Sequence, residues 1–469
     1  MNLFIFFSRL FRPLPLFCLL SVPLPLLAQS SPPVTVLYDS VALAIVRTAL
    51  GQNMAIGMLR DLCTTVGPRL SGSPGAAKAV EWAKRKMESL GFQNVHLEPL
   101  MVPHWVRGPV EGATFVTDVS QKPAMLRVAA LGGSIGTPKD GITGEIVEIT
   151  SWDQLKTIGD RAKGKMLFFN RPMDRSLIST GQAYGRAVDQ RGRGAVETAK
   201  VGGVAAIVRS MTTRLDDVPH TGAMGYVDTI PKVPAVAIST VGAELLHRLL
   251  AAGRQVTVTI NLSCETLPDV ESANVVGEIV GGEKPQEVIV VGGHLDSWDK
   301  GQGAHDDGAG CIQSMEALRL LREMGLTPKR TIRAVMFMNE ENGLRGGIAY
   351  EAKDRPGEKP VAAIETDSGG FLPLGFGISD SAAYEKLSKY APLFRSFHAD
   401  HFQRGGGGAD ISPMAKLKVP LVGLIADWNP YFDVHHSDND VIATVNERQL
   451  ELGAASLAIL AYVIAQEGL

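Results

Sequence analysis

Cysteine is scarce in this chain. Its four copies, Cys18, Cys63, Cys264 and Cys311, are widely spaced, and Cys18 lies in an apolar N-terminal run. The other three allow at most one bridge, which excludes a disulfide-stapled scaffold. Long basic runs are also absent, and the formal net charge is −3, so composition gives no support for a nucleic-acid partner. The four-glycine tract at 405–408 lacks the Lys-Ser/Thr that completes a phosphate cradle, and it reads as a mobile loop near a cleft. What remains is the profile of a soluble globular protein: 469 residues, 45% apolar and 20% charged, enough for two or three folding units.

The N-terminus departs from that profile. Arg9 and Arg12 precede an uncharged apolar run at 14–28 that ends in Leu-Leu-Ala-Gln. The run is short for a membrane span and contains Pro15, Pro23 and Pro25, so it reads as a secretory signal cleaved after residue 28 rather than as an anchor. No cysteine stands just after the cleavage motif, since Cys18 sits mid-run, which argues against a lipoprotein. The expected mature chain is exported, periplasmic or extracellular, with no stable membrane span.

Three textures follow. Residues 40 to 100 carry apolar side chains at helical spacing in AIGMLRDLCTTVG and PGAAKAVEWAKRKMESLG, each stopped by glycine. From about 110 to 265 short β-like runs dominate (GEIVEI, GKMLFFN, VAAIVRS, VPAVAIS, QVTVTINL), and no His/Asp/Glu cluster appears. From 270 onward strands alternate with helices, which predicts a mostly parallel mixed sheet with helices on both faces. In such sheets ligands bind at the carboxyl ends of strands.

Ionisable residues collect at those ends. One strand ends in His294-Leu-Asp296 and leads into Ala304-His305-Asp306-Asp307-Gly308; a second ends in Asn339-Glu340-Glu341-Asn342; a third ends in Glu365-Thr-Asp367; and Asp433-Val-His435-His436-Ser-Asp438-Asn-Asp440 lies near the C-terminus. Buried carboxylates are costly unless paired or metal-bound. Imidazole and carboxylate without thiolate suit Zn²⁺, with Mn²⁺ or Co²⁺ as substitutes. Two metals need a bridging carboxylate, for which Asp306 is well placed, and of Glu340 and Glu341 one can bind metal while the other acts as general base. Asp296, two residues along the strand from His294, faces the same side. Trp298, Trp428, Tyr431 and Phe432 are candidates either to line a pocket or to pack a core.

The segments GPRLSGSPG, GGHLDSW, AHDDGAG, NEENGLRGG, ETDSGGF and HHSDND, in this order, resemble the co-catalytic zinc exopeptidase family of aminopeptidases and glutamate carboxypeptidases, and within it the carboxypeptidase Q group. The resemblance implies a zinc exopeptidase fold holding two Zn²⁺ per chain and acting on short peptides or dipeptides with free termini. It implies His294 and Asp367 on one zinc, Glu341 and His436 on the other, Asp306 bridging, Glu340 as general acid/base, and Asp296 supporting the first ligand by orienting its imidazole. His435 would be a neighbour and His305 structural or supporting. The Asp306–Asp307 peptide would be cis. The implied organisation is a signal peptide at 1–28, a discontinuous catalytic domain at 35–110 and 266–469, and an inserted β-rich protease-associated-like domain at 111–265 that shapes access or supports a homodimer. The rival readings are a glutaminyl cyclase of the same fold, with one zinc, and a non-catalytic binding protein.

Overall fold

Strand alternation builds the first sheet and gives it two cores. In Lys284–His294, Ile289 and Val291 join one apolar cluster while Val288 and Val290 join another. In Arg330–Phe337, Ile332, Ala334 and Met336 face the first cluster, and Val335 and Phe337 face the second. Successive side chains of a strand point to opposite faces, so a sheet whose strands are apolar throughout must be covered on both. One cover is the helix pair Ala309–Glu323 and Glu447–Glu467, with Met54–Thr65 packed on it; the other includes Arg345–Ala352. The computed structural model describes residues 34–118, 120 and 122–469. The expected signal segment, 1–28, lies outside the described residues.

The sheet has eight strands in the order Gln93–Val106, Glu265–Ile279, Arg330–Phe337, Lys284–His294, Lys359–Glu365, Leu421–Ala426, Pro373–Ile378, His401–Arg404. The run from Arg330–Phe337 to Leu421–Ala426 is parallel, as the alternation of elements predicts. Antiparallel pairings flank it on both sides. Helix Glu447–Glu467 is long and apolar enough to cross a membrane, but 83% of its most apolar window is buried inside the protein, as a core helix requires.

GPRLSGSPG finds its role here. Ser73 caps the Pro74–Ser89 helix by accepting from the Ala76 N–H at 3.1 Å, with proline at the first helical position. Arg69 is fully buried and donates to the Leu295, Gln302 and Gly303 carbonyls at 2.5, 2.9 and 2.8 Å. It thereby stitches down the loop that follows the His294 strand.

Residues 111–262 form a second eight-stranded sheet, with helices Asp189–Lys200 and Thr240–Ala251 beside it. It is not an isolated module. Trp105 and Trp298 pack into its core from one side, and Phe371, Tyr431 and Phe432 from the other. Where the chain crosses between the sheets, Arg107 holds Asp299 at 2.6 and 2.8 Å and Glu111 at 2.7 Å. All three described cysteines, Cys63, Cys264 and Cys311, are free and buried. In the four-glycine tract, expected to be a mobile loop, Gly405 and Gly406 are exposed while Gly408 packs closely. The Gly405 N–H donates to the Ile378 carbonyl at 2.8 Å, and a Cβ on Gly408 would lie 2.1 Å from the Glu365 carboxyl carbon. Glycine is there because backbone must approach a buried carboxylate.

One ion pair on the outer strand gives a pH prediction. Glu98 is buried, which favours its neutral form, but His96, Arg355 and Lys353 outweigh this and hold it at about 2. Arg355 binds both of its oxygens at 2.8 Å. A depressed folded-state pKa contributes stability that is present above the unfolded value and lost as pH falls through the folded one. The shift corresponds to about 3 kcal/mol at neutral pH. Glu98→Gln should therefore lower the urea midpoint most above pH 4.5, with the gap to wild type closing as pH falls toward 2. A gap independent of pH across that range would show that the ion pair is not its source.

Candidate metal centre

Three strand ends, the loop after the first of them and one C-terminal turn deliver the ionisable groups to a single point. His294 ends its strand with Nε2 3.2 Å from Asp306 Oδ1 and 3.7 Å from Asp367 Oδ1. The other oxygen of Asp306, Oδ2, lies 3.3 Å from His436 Nε2, which is 3.0 Å from Glu341 Oε2. Asp306 thus faces one imidazole with each of its oxygens. The Asp306–Asp307 peptide is cis, as the resemblance implies. Asp307 faces away from the cluster: its carboxylate accepts from the His294 and Gly310 N–H groups at 3.1 and 2.9 Å. Asp440 accepts from the His305 and Asp306 N–H groups at 2.6 and 3.2 Å and fixes that loop from the other side.

His435 is closer than a mere neighbour. Its ring stacks on His436 with centroids 3.5 Å apart, and its Nε2 is 3.8 Å from Asp306 Oδ2. His436 has a left-handed φ of 59°, rare for a non-glycine residue, and this turn brings both imidazoles to the same carboxylate. His305, by contrast, stacks on Phe371 at 4.2 Å and accepts from the Gly370 N–H through Nδ1, a structural role.

Asp296 divides its work differently from the expectation. His294 Nδ1 meets the backbone carbonyl of Asp296 at 2.9 Å, while the carboxylate is 3.9 Å away. The carboxylate instead accepts from the N–H groups of Asn339, Glu340 and Glu341 at 2.7, 3.0 and 3.4 Å. It anchors the turn that presents both glutamates.

The electrostatics call for a cation. Burial, opposed by His294 but reinforced by Asp367 and Asp306, raises Glu340 to about 7. Burial and neighbouring carboxylates also hold Glu341 well above the usual range and raise Asp306. Although burial opposes its charging, His294 is pushed up by Asp306 and Asp367. His294 Nε2 and Asp306 Oδ2 are buried without hydrogen-bond partners. Two three-ligand groups, His294/Asp306/Asp367 and Asp306/His435/His436, each bring their donor atoms within 4.8 Å of one another. Orphaned donors in crowded anionic surroundings, with nitrogen and oxygen but no sulfur, fit divalent cations of the zinc type.

The comparisons with known proteins agree. The profile of peptidase family M28 matches residues 274–461. Human carboxypeptidase Q is 38% identical over 430 residues, covering 91% of this chain and 89% of its own. The chain belongs to peptidase family M28. A peptidase M28 precursor from Shewanella amazonensis has the same fold, with a TM-score of 0.87 and 33% identity over 92% of this chain and 98% of its own. A zinc aminopeptidase from Bacillus subtilis shares the fold at a TM-score of 0.63 and 18% identity, over 88% of this chain and 95% of its own.

The M28 centre opens onto a cavity of about 530 Å³ whose walls come from both sheets. Trp428, Tyr431 and Phe432 line it, as do Glu340, Glu341, Asp306, Asp367 and the His435–His436 pair. Trp298 does not; it is a core residue whose backbone N–H donates to Glu341 Oε1 at 3.1 Å. Sequence reasoning missed Gly181, Tyr184 and Arg191, which reach the cavity from the second sheet's helices. It also missed Asp410, and it named Glu365 only as the end of its strand; both are buried carboxyls with unpartnered oxygens, and burial and Asp367 raise Glu365 to about 8. The Gly-x-Ser-x-Gly match at 132–136 is no nucleophile elbow. Ser134 Oγ donates to the Ile135 carbonyl and accepts from the Ala235 N–H, both at 2.9 Å, inside the second sheet.

Proposed function

We propose that this M28 peptidase is an exported exopeptidase that holds two zinc ions and hydrolyses short peptides or dipeptides with free termini. Residues 1–28 are the export signal, 35–110 and 266–469 the catalytic domain, and 111–265 an inserted protease-associated-like domain that walls the substrate cavity. The observation that carries the two-metal reading is Asp306, with one carboxylate oxygen toward His294 and the other toward His436. His294 and Asp367 complete one site; Glu341 and His436 complete the other.

When bound, the zinc ions supply an acidified water and a polarised scissile carbonyl. The chain supplies the rest. Glu340, in the cavity wall, accepts the proton of the attacking water and returns it to the leaving amine. The Asp296 carboxylate holds Glu340 by its backbone N–H. Tyr431, in the cavity wall, donates its hydroxyl to Asp367 at 3.5 Å.

Metal content and hydrolysis of a dipeptide panel, with each terminus blocked in turn, test this on one sample. The expected result is close to two zinc ions per chain, reversible loss of turnover with a chelator, and loss of hydrolysis when the substrate's termini are capped. One zinc at saturation, with cyclisation of N-terminal glutamine, would replace the reading by the cyclase one. Failure to retain zinc would revive the binding-protein one.

A further inference from the structure

Arg191 has no obvious structural reason for its position. It sits on helix Asp189–Lys200 of the second sheet, is 8% exposed, and among the described residues is the one lysine or arginine side chain lining the metal-centre cavity. Its hydrogen-bond partners are neutral: the Tyr184 hydroxyl at 2.8 Å, and the Thr221 carbonyl and His436 Nδ1, both at 3.4 Å. Its Nε has no partner. Buried guanidinium groups are ordinarily paired, because an unpaired buried charge is costly.

The contact with His436 does not satisfy it. His436 turns Nε2 toward Asp306 and Glu341, so as a metal ligand it carries its proton on Nδ1, and a protonated nitrogen accepts nothing from arginine. The guanidinium is nonetheless held there. A Cβ on Gly222, whose φ is +130°, would lie 2.4 Å from the Arg191 guanidinium carbon and 2.7 Å from His436 Nδ1. Only glycine permits that approach. None of the cavity carboxylates Asp306, Glu340, Glu341 and Asp367 is among its hydrogen-bond partners, so the partner that the guanidinium lacks is a carboxylate.

We infer that Arg191 is a specificity-determining residue, the group that receives the free α-carboxylate of the residue on the leaving side of the scissile bond. The inference rests on the two-zinc exopeptidase reading. Planar guanidinium matches carboxylate as a two-pronged donor. Arg191 stands one imidazole ring from the ligand cluster, and a residue spans only about 3.3–3.6 Å of extended chain. The carboxylate it reaches thus belongs to the residue next to the bond that breaks. A longer peptide would place an uncharged amide against the guanidinium.

The test compares a dipeptide with its C-terminal amide on the zinc-loaded full chain, wild type and Arg191→Met, with zinc content measured on each. Wild type should favour the free acid by about 10–100-fold in kcat/KM, carried by KM, the range expected for a lost charge-assisted hydrogen bond. In Arg191→Met the acid-to-amide ratio should fall to about one with zinc retained, and Arg191→Lys should restore part of it. A purely structural role would change both substrates alike and leave the ratio intact. Equal hydrolysis of acid and amide by wild type overturns this inference together with the free-C-terminus part of the proposed function, leaves the two-zinc peptidase reading standing, and needs no variant to fold. A ratio that survives in Arg191→Met also overturns it. No hydrolysis of either substrate by the zinc-loaded wild type overturns the exopeptidase reading, and this inference with it.

Discussion

Glu340→Gln should keep both zinc ions and the fold while turnover drops by at least about 10²–10⁴-fold, the range for loss of general acid/base catalysis. Glutamine preserves the shape of the side chain and leaves the backbone N–H on Asp296 Oδ1. It removes only the proton acceptor. Dipeptide affinity should therefore survive, so the loss should appear in kcat. Metal analysis and steady-state kinetics on one preparation read both halves. Near-normal turnover, or loss of zinc, would mean that the roles of Glu340 and Glu341 are reversed or that the site works otherwise.

Asp306→Ala should have the larger effect on assembly. Asp306 is common to both three-ligand groups, so its removal weakens both sites, whereas Glu341→Ala takes a ligand from one. The expected outcome is fewer than one zinc per chain at stoichiometric zinc, no measurable peptidase activity, and a lower melting temperature. The remaining carboxylates, Glu340, Glu341 and Asp367, would face one another with little cation to balance them. Retention of two zinc ions by Asp306→Ala would remove the bridging role and with it the two-metal arrangement proposed here.

Much of the catalytic unit is legible in the sequence because its signals are local. Strand–helix alternation marks the parallel centre of the sheet, and the ligand residues lie next to their strands. His294, Asp306, Glu341, Asp367 and His436 do converge. The rest was hidden by distance. Helix Asp189–Lys200 begins DQRGR, which reads as a solvated charged turn until the fold sets Arg191 against His436, 245 positions away. The outer strands Pro373–Ile378 and His401–Arg404 are short and glycine-bordered, and carry little periodicity. Asp296 was read correctly as facing the site, yet period-two logic cannot say whether its carbonyl or its carboxylate meets the imidazole. His435 and His436 are adjacent, so spacing alone separates them poorly, and only the left-handed turn shows that both approach Asp306.

Asp296 also has a mechanical consequence. Its carbonyl orients His294 while its carboxylate grips the backbone of Asn339, Glu340 and Glu341. The spacing between the proposed metal ligand His294 and the proposed general base Glu340 is thus set through a single residue rather than by two loops packed independently. Widening that spacing means loosening the hydrogen bonds held by this one carboxylate, so on heating, catalytic competence and zinc retention should be lost together, like a clasp opening.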